Sequence, residues 1–173
     1  MNRTFFLIVW CFSSLSVHGQ PNRHISLFAD IHVNRCIYDR IMNKANGFGS
    51  SVGIQINSWQ SIKPLLEVSG DFFANAADLV YQDGHELVKK GGVPSILLGT
   101  KYQFFERLYL TAEIGPGWIE SKVFLVIKPS LGYYIDKNQR LSAKISLTNI
   151  FENDDAGNKP FGYINLGLVF RIF

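Results

Sequence analysis

The final segment of the chain, residues 161–173, alternates between two kinds of side chain. Every second residue is apolar: Ile164, Leu166, Leu168, Phe170 and Ile172. The residues between them, which include an amide, a glycine and an arginine, are Tyr163, Asn165, Gly167, Val169 and Arg171. Because successive side chains of a β-strand point to opposite faces, this period of two predicts a strand with one apolar and one more polar face. A strand needs partners along its edges, so the pattern restricts the chain to folds built from sheets.

The first residues are typical of a secretory signal peptide. Arg3 supplies the positive charge, residues 5–12 form a short apolar segment, and residues 17–19 form a small-residue cleavage site. The apolar segment is too short to span a bilayer as a helix. Cys11 lies inside it behind Trp10, which argues against lipid attachment at that cysteine. We therefore predict a signal peptide at residues 1–19 and a single mature domain at residues 20–173.

Composition limits how the mature domain can be stabilised. Cys36 is its only cysteine, so an intrachain disulfide is impossible. Hydrophobic residues make up 47% of the sequence, yet no segment after the signal approaches the roughly 20 apolar residues of a spanning helix. Strands with one apolar face reconcile these two facts. The formal charge of +3 is close to neutral and argues against nucleic-acid binding.

The same alternation recurs upstream and divides the mature chain into eight segments. We predict strands at residues 24–33, 47–57, 63–73, 95–104, 108–118, 124–135, 140–150 and 161–173. The second, fourth and sixth connections are short, and the first, third and seventh are long and polar; the third contains Asp83-Gly84, a hairpin signal. This asymmetry is typical of membrane barrels whose termini lie in the periplasm. The predicted fold class is all-β, an eight-stranded antiparallel up-and-down transmembrane β-barrel.

Charged residues on the polar face indicate which face points inward. They are Asp30, Glu67, Asp71, Lys101, Glu113, Lys128, Lys144 and Arg171. Exposing a Lys or Arg to lipid at mid-membrane costs about 2–4 kcal/mol, so we expect this set to form a charge network inside the barrel. The predicted register places Lys101 diagonal to Glu113, Glu113 opposite Lys128, and Lys128 diagonal to Lys144. An eight-stranded barrel is just wide enough for its own side chains, which predicts a filled core and not an open pore.

Two further features bear on this arrangement. Aromatic residues on the apolar face gather near the strand ends and predict two interfacial girdles; they are Phe48, Phe72 and Trp118 at one end, and Tyr102, Phe104, Tyr133 and Phe170 at the other. Pro129 lies in the middle of the sixth strand, which predicts a bulge or a broken ladder bond there. A soluble lipocalin-like barrel with an apolar interior remains an alternative at this point.

Several sequence features together resemble the small outer-membrane β-barrel domain family of Gram-negative bacteria. They are the signal peptide, the eight alternating segments, Gly92-Val93-Pro94, the Lys-Pro-Ser-Leu-Gly-Tyr-Tyr of residues 128–134, and the aromatic carboxyl end. The resemblance implies an outer-membrane location, insertion by the barrel-assembly machinery, contact with lipid and lipopolysaccharide, and a monomer without a cofactor. Members of this family include structural and adhesive proteins, so the resemblance implies no particular activity, and the partner of the loops is left open.

The enzyme alternative is a barrel that modifies outer-membrane lipid. Lipid A deacylases are barrels of similar size with a His-x-Ser-Asn motif, and the comparable stretch here is Ser146-Leu147-Thr148-Asn149. Because Ser replaces the general base and Thr replaces the nucleophile, the Ser–His chemistry does not carry over. We therefore predict no catalytic residues.

No metal site is predicted either. His24 and His32 share a face but lie roughly 27 Å apart along an extended strand, too far for one ion, and are expected to form lumen hydrogen bonds. His85 beside Glu86, and the acidic residues 152–155 with Gly157, are interpreted as hydrated loop groups. Lys89-Lys90 could meet lipopolysaccharide phosphates. Cys36 is expected to be a reduced or buried residue of the first loop, with pairing to a cysteine of another molecule as the alternative.

Overall fold

The computed structural model of the protein describes residues 25–37, 46–57, 61–73, 92–119, 122–151 and 161–172. These residues form eight strands: β1 (Ile25–Cys36), β2 (Asn46–Ile56), β3 (Ile62–Phe73), β4 (Gly92–Gln103), β5 (Leu108–Ile119), β6 (Lys122–Tyr134), β7 (Leu141–Phe151) and β8 (Phe161–Arg171). Each strand pairs antiparallel with the next, and β8 pairs with β1 to close a barrel. The predicted fold class is confirmed. In the described part of the chain, no helix is long and apolar enough to cross a membrane.

The strand bounds differ from the predicted ones by up to three residues, at the start of β4, which begins at Gly92 and not at Ser95, and at the end of β1. This strand continues past Val33 to Cys36, whose side chain is buried inside the barrel. The expected loop position of Cys36 is therefore wrong, whereas the burial expected for it agrees with the structure. The alternation of Asn34 inward and Arg35 outward continues the period of two, so these residues stay in the sheet although their side chains are polar.

Some predictions concern positions outside the described residues. These are the signal peptide, His24, the Asp83-Gly84 hairpin, His85 with Glu86, Lys89-Lys90, the acidic residues 152–155 with Gly157, and Phe173.

The two faces of the barrel wall have opposite character. Leu98 is 65% exposed on the outer surface, while its neighbour Leu97 is 0% exposed in the interior. Large apolar side chains cover the outside along all eight strands, and the charged side chains at mid-strand point inward. A soluble barrel requires the reverse arrangement, so the lipocalin-like alternative does not fit the structure.

The two ends of the barrel also differ. The turn end carries the tight turns at residues 104–107 and 135–140 together with Ile25 and Ile172; the opposite end is called the loop end here. In the second of these turns, Asp136 Oδ1 accepts hydrogen bonds from the backbone N–H groups of Leu141 (2.7 Å) and Arg140 (2.8 Å). These donors, Leu141 first, hold the pKa of Asp136 below its usual value.

Prolines interrupt two of the strand ladders. Between β6 and β7 the pairing stops at Lys128 and Pro129 and resumes at Ser130 in the same register. A similar gap between β4 and β5 lies beside Pro116. Because proline has no N–H to donate, each ring removes a ladder hydrogen bond. The prediction for Pro129 is confirmed as a broken ladder; a bulge would have shifted the register.

Aromatic side chains lie on the outer surface near both ends, as predicted. At the loop end, Phe48 and Phe72 stack with ring centroids 5.7 Å apart. At the turn end, Tyr102 and Phe104 stack at 6.5 Å. Such rings are favoured at the level of lipid headgroups.

The outward face of β3 gives a test of lipid exposure. Val68 lies at mid-strand and points outward, whereas Ile62 lies at the turn end of the same strand. We expect Val68→Arg to lower the free energy of unfolding by about 2–4 kcal/mol and Ile62→Arg by about 0–1 kcal/mol, because the cost of a charge falls towards the interface. Denaturant titration of the protein folded in lipid vesicles measures both values. Equal costs at the two positions would contradict a lipid-facing wall.

Candidate functional site in the barrel interior

The interior contains three layers between the loop end and the turn end. The apolar layer, nearest the loop end, consists of Cys36, Phe73, Val93, Leu97, Ile119, Phe124, Val126, Ile150 and the ring of Tyr163. The ionic layer at mid-height consists of Asp30, His32, Glu67, Asp71, Lys128 and Lys144. The third layer, the turn-end cavity, is a space of about 50 Å³ whose lining includes Lys63, Lys101, Glu113, Tyr109, Arg140 and Arg171.

Asp71 of β3 anchors the loop-side edge of the ionic layer. Tyr163 Oη donates a hydrogen bond to its Oδ2 at 2.8 Å, and Asn34 Nδ2 donates to its Oδ1 at 2.6 Å. Asn165 Nδ2 in turn donates to Asn34 Oδ1 at 2.8 Å. Donors from β1 and β8 thus satisfy a carboxylate that is almost completely buried, which offsets the cost of removing it from water.

His32 lies between two aspartates. Its Nε2 is 2.6 Å from Asp71 Oδ1, and its Nδ1 is 3.1 Å from Asp30 Oδ1. Ionised carboxylates only accept hydrogen bonds, and both ring nitrogens can donate only in the imidazolium form. We therefore assign His32 as the cation that joins Asp30 to Asp71.

Two glycines leave the space that the imidazole occupies. Gly49 of β2 and Gly167 of β8 are the direct register partners of His32 on its two sides. A Cβ atom at Gly49 would collide with His32 Nε2 and with Asp71 Oδ1, and one at Gly167 would lie 2.6 Å from His32 Cβ. The positions beside this histidine therefore require the smallest residue.

Glu67 is the central carboxylate of the ionic layer. Lys128 Nζ of β6 donates to its Oε1 at 2.6 Å, and Lys144 Nζ of β7 lies 3.5 Å from its Oε2. Lys144 Nζ is also 2.5 Å from Asp30 Oδ2. In a ring of eight strands β3 and β7 face each other, so these contacts cross the lumen. Three carboxylates and three cations, with His32 charged, make the ionic layer neutral.

The predicted register around Glu113 is present in the backbone. Glu113 is the direct partner of Lys128, and Lys101 lies on the diagonal because its own partner is Thr111. The ammonium groups of Lys101 and Lys128, however, contact other side chains. Within the described residues no ion pair joins Glu113 to either lysine, and Lys128 contacts Glu67 instead.

Lys101 and Glu113 contact side chains that do not belong to the predicted charge network. Lys101 Nζ lies 3.7 Å from the centroid of the Tyr109 ring and 4.8 Å from that of Tyr134, a cation–π arrangement. Thr111 Oγ1 donates to Glu113 Oε1 at 2.9 Å, while Glu113 Oε2 has no hydrogen-bond partner among the described residues. The chain through Lys101, Glu113 and Lys128 is thus replaced by one centred on Glu67.

Two predicted positions differ from expectation in a smaller way. Lys144 pairs with Gly132 and is four residues from Lys128 in the ladder, so the two lysines are not diagonal neighbours. Both still reach the Glu67 carboxylate. Arg171 lines the turn-end cavity and is exposed there. The stabilising role of the eight predicted charged residues stays a prediction.

The sequence pattern does not predict the three residues that contact Asp71. The alternation predicts only hydrogen bonds for His32, and it indicates no partner for Asn34 or Tyr163. The available signal was local: Asp30, His32 and Asn34 occupy alternate positions of one strand and therefore share one face. The contacts of His32, Asn34 and Tyr163 with Asp71 depend on the curvature of the barrel, which no sequence spacing encodes.

The Ser146-Leu147-Thr148-Asn149 stretch lies on β7. Thr148 Oγ1 donates to Asn165 at 2.8 Å inside the lumen. Ser146 is also buried, and its hydroxyl has no partner among the described residues. No group of His, Cys, Asp or Glu side chains in the described ranges is arranged to hold a metal ion.

Substituting Glu67 and Glu113 separately tests which carboxylate holds the buried lysines in place. We expect Glu67→Gln to destabilise the barrel by about 3–5 kcal/mol, because it leaves Lys128 and Lys144 buried beside a neutral amide. Glu113→Gln serves as the control and should cost clearly less, since it removes no direct ion pair. Equilibrium unfolding in lipid vesicles gives both free energies. A larger loss for Glu113→Gln would contradict the Glu67-centred arrangement.

The space beside His32 can be tested with two alanine substitutions. Gly49→Ala places a methyl group against His32 and Asp71 and should lower the free energy of unfolding by about 1–3 kcal/mol. Gly70→Ala on the adjacent strand is the matched control, because its Cβ would meet only a Phe72 ring atom at 3.7 Å. Unfolding measurements on both variants should show a loss confined to Gly49→Ala; equal effects would mean that the imidazole does not need this space.

Comparison with known proteins yields a structural likeness only. No protein-family model matches the sequence, and no curated protein matches it. The crystal structure of the attachment invasion locus protein Ail of Yersinia pestis is 14% identical, with a TM-score of 0.55, and the match covers 85% of this chain and 97% of Ail. The N-terminal β-barrel domain of Pseudomonas aeruginosa OprF is 19% identical, with a TM-score of 0.50 and coverage of 83% and 96%.

A designed transmembrane β-barrel shares the fold as well. It is 8% identical, with a TM-score of 0.50, and the match covers 88% of this chain and 99% of the design. At such identities the likeness concerns the fold, and a fold does not determine an activity. The closed ring of eight antiparallel strands, the apolar outer wall and these three matches agree with one another. The chain has the fold of the small eight-stranded outer-membrane β-barrels.

Proposed function

We propose that this protein is an integral outer-membrane β-barrel with a structural or surface-interaction role, that it is not an open channel, and that it is not an enzyme. The observation that carries the proposal is the filled interior. The apolar layer closes the lumen towards the loop end, and the ionic layer crosses it at mid-height. The turn-end cavity of about 50 Å³ is far smaller than the continuous aqueous channel of a porin.

The distribution of apolar side chains supports the membrane location. Outward side chains are apolar at mid-strand, and the outer aromatic residues gather near the two ends. Lipid favours this arrangement, and closure leaves no strand edge without hydrogen bonds. The proposed orientation places the turn end and both termini in the periplasm and the connections at residues 74–91 and 152–160 outside the cell. Lipopolysaccharide and outer-membrane lipid are then the immediate surroundings.

In either a structural or a surface-interaction role, the parts of the barrel that act are its loop end and its outer wall, not its interior. Within the described interior, the hydroxyl of Thr148 is engaged by Asn165, and no histidine is hydrogen-bonded to Ser146. This supports a non-enzymatic barrel. We further propose that it acts as a monomer and is inserted by the barrel-assembly machinery.

Cell fractionation tests the location. We expect the protein in the outer-membrane fraction, with an electrophoretic mobility that changes on boiling because the folded barrel resists detergent. An epitope inserted into the connection at residues 74–91 should be labelled on intact cells, and one at the amino terminus of the mature chain only after permeabilisation. Recovery as a soluble periplasmic protein, or the opposite labelling pattern, would refute the location or the orientation.

Planar-bilayer recording tests the closed lumen. The reconstituted protein should give no large, steady single-channel current, because both the apolar and the ionic layer block the path. A porin inserted under the same conditions provides the control for detection. Long-lived open-channel currents from the purified protein would contradict the proposal.

A further inference from the structure

The turn-end cavity carries an excess of positive charge. Five cationic side chains and two carboxylates line it, which leaves a surplus of three positive charges. Its volume of about 50 Å³ is several times the minimum of roughly 10–15 Å³ that one water molecule needs. The space is therefore large enough for a small polyatomic ion.

Two lysines form one wall of the cavity. Lys63 of β3 and Lys101 of β4 are direct partners in the ladder, and both side chains line the cavity. Like charges placed directly opposite each other in a sheet are destabilising. Within the described residues, no carboxylate lies at ion-pair distance from either lysine.

Two arginines form the opposite wall. The backbone N–H of Arg171 donates to the carbonyl oxygen of Arg140 at 2.7 Å, which holds the two residues side by side at the turn end. Both side chains line the cavity, and neither forms an ion pair with a carboxylate in the described part of the chain. Since β3 and β4 lie across the barrel from β7 and β8, the lysine pair faces the arginine pair.

The two carboxylates do not cancel this charge at the cavity mouth. Glu67 is already engaged by Lys128 and Lys144. Glu113 lies deeper, at mid-strand of β5, and accepts a hydrogen bond from Thr111. The mouth is therefore left with Lys63, Arg140 and Arg171, and with Lys101 between the mouth and Glu113.

We propose that the turn-end cavity binds a phosphate-type oxyanion between the lysine pair and the arginine pair. The planar guanidinium group matches two oxygens of a phosphate, and lysine ammonium groups add charge without a fixed direction. A bound phosphate removes the repulsion between Lys63 and Lys101. The phosphate can be a free ion or the headgroup of a lipid, because both present the same oxygens to the mouth of the barrel.

The test is titration of the mature protein with inorganic phosphate in non-ionic detergent micelles at constant ionic strength. The doubly substituted variant Lys63→Gln/Arg171→Gln is compared with Arg107→Gln/Lys137→Gln. The second pair removes the same charge from exposed positions at the same end that do not line the cavity. We expect saturable binding of one phosphate, weakened at least about tenfold in the first variant and unchanged in the second.

A second arm distinguishes the two sources of phosphate. If a lipid headgroup occupies the cavity, affinity for inorganic phosphate should fall in phosphatidylglycerol bilayers relative to micelles, and this fall should vanish in Lys63→Gln/Arg171→Gln. Equal affinity in both settings identifies the free ion. Should the double variant fail to fold, Arg140→Gln, with its exposed side chain, replaces it. Absence of saturable binding to the unsubstituted protein, or equal binding by the cavity variant, would overturn the proposal.

Discussion

Closure of the sheet into a ring determines how the other parts of this barrel are arranged. In lipid no water is available to satisfy the backbone of an edge strand, so a sheet can span the membrane only as a closed ring. Here β1 and β8 complete that ring, with Ala29 opposite Phe170. Closure with eight strands also fixes a narrow interior, and every inward side chain must then pack against the inward side chains of the other strands.

That narrow interior explains why the charges are arranged as they are. Mid-strand residues that cannot face lipid point inward, where each charge needs a partner of opposite sign. Glu67 meets lysines from the far wall, and His32 joins two aspartates between two glycines that leave space for its ring. The apolar layer fills much of the loop-side half of the lumen. At the turn end, Lys63, Lys101, Arg140 and Arg171 form no ion pair with a carboxylate among the described residues. This distinguishes the turn-end cavity from the ionic layer.

The alternation of apolar and polar side chains was sufficient to predict most of the fold. It placed all eight strands, assigned the inward and outward faces and located the break at Pro129, because each of these depends on neighbours in sequence or on a tight turn. The pairings across the lumen could not be predicted in the same way. Lys128 stands opposite Glu113 in the ladder, yet its long side chain crosses to Glu67 because barrel curvature brings β3 within reach. The position of Cys36 was missed because the polar residues Asn34 and Arg35 hid the continuation of β1.

In this structure lipid contacts one face of each strand and never the other. The most direct measurement uses the protein in bilayer nanodiscs with a spin label in the lipid acyl chains, and records the broadening of assigned valine methyl resonances. Outward Val52 and Val68 should broaden strongly, while inward Val93 and Val126, of the same residue type, should keep their line widths. Broadening of Val93 and Val126 without effect on Val52 and Val68 would contradict the account.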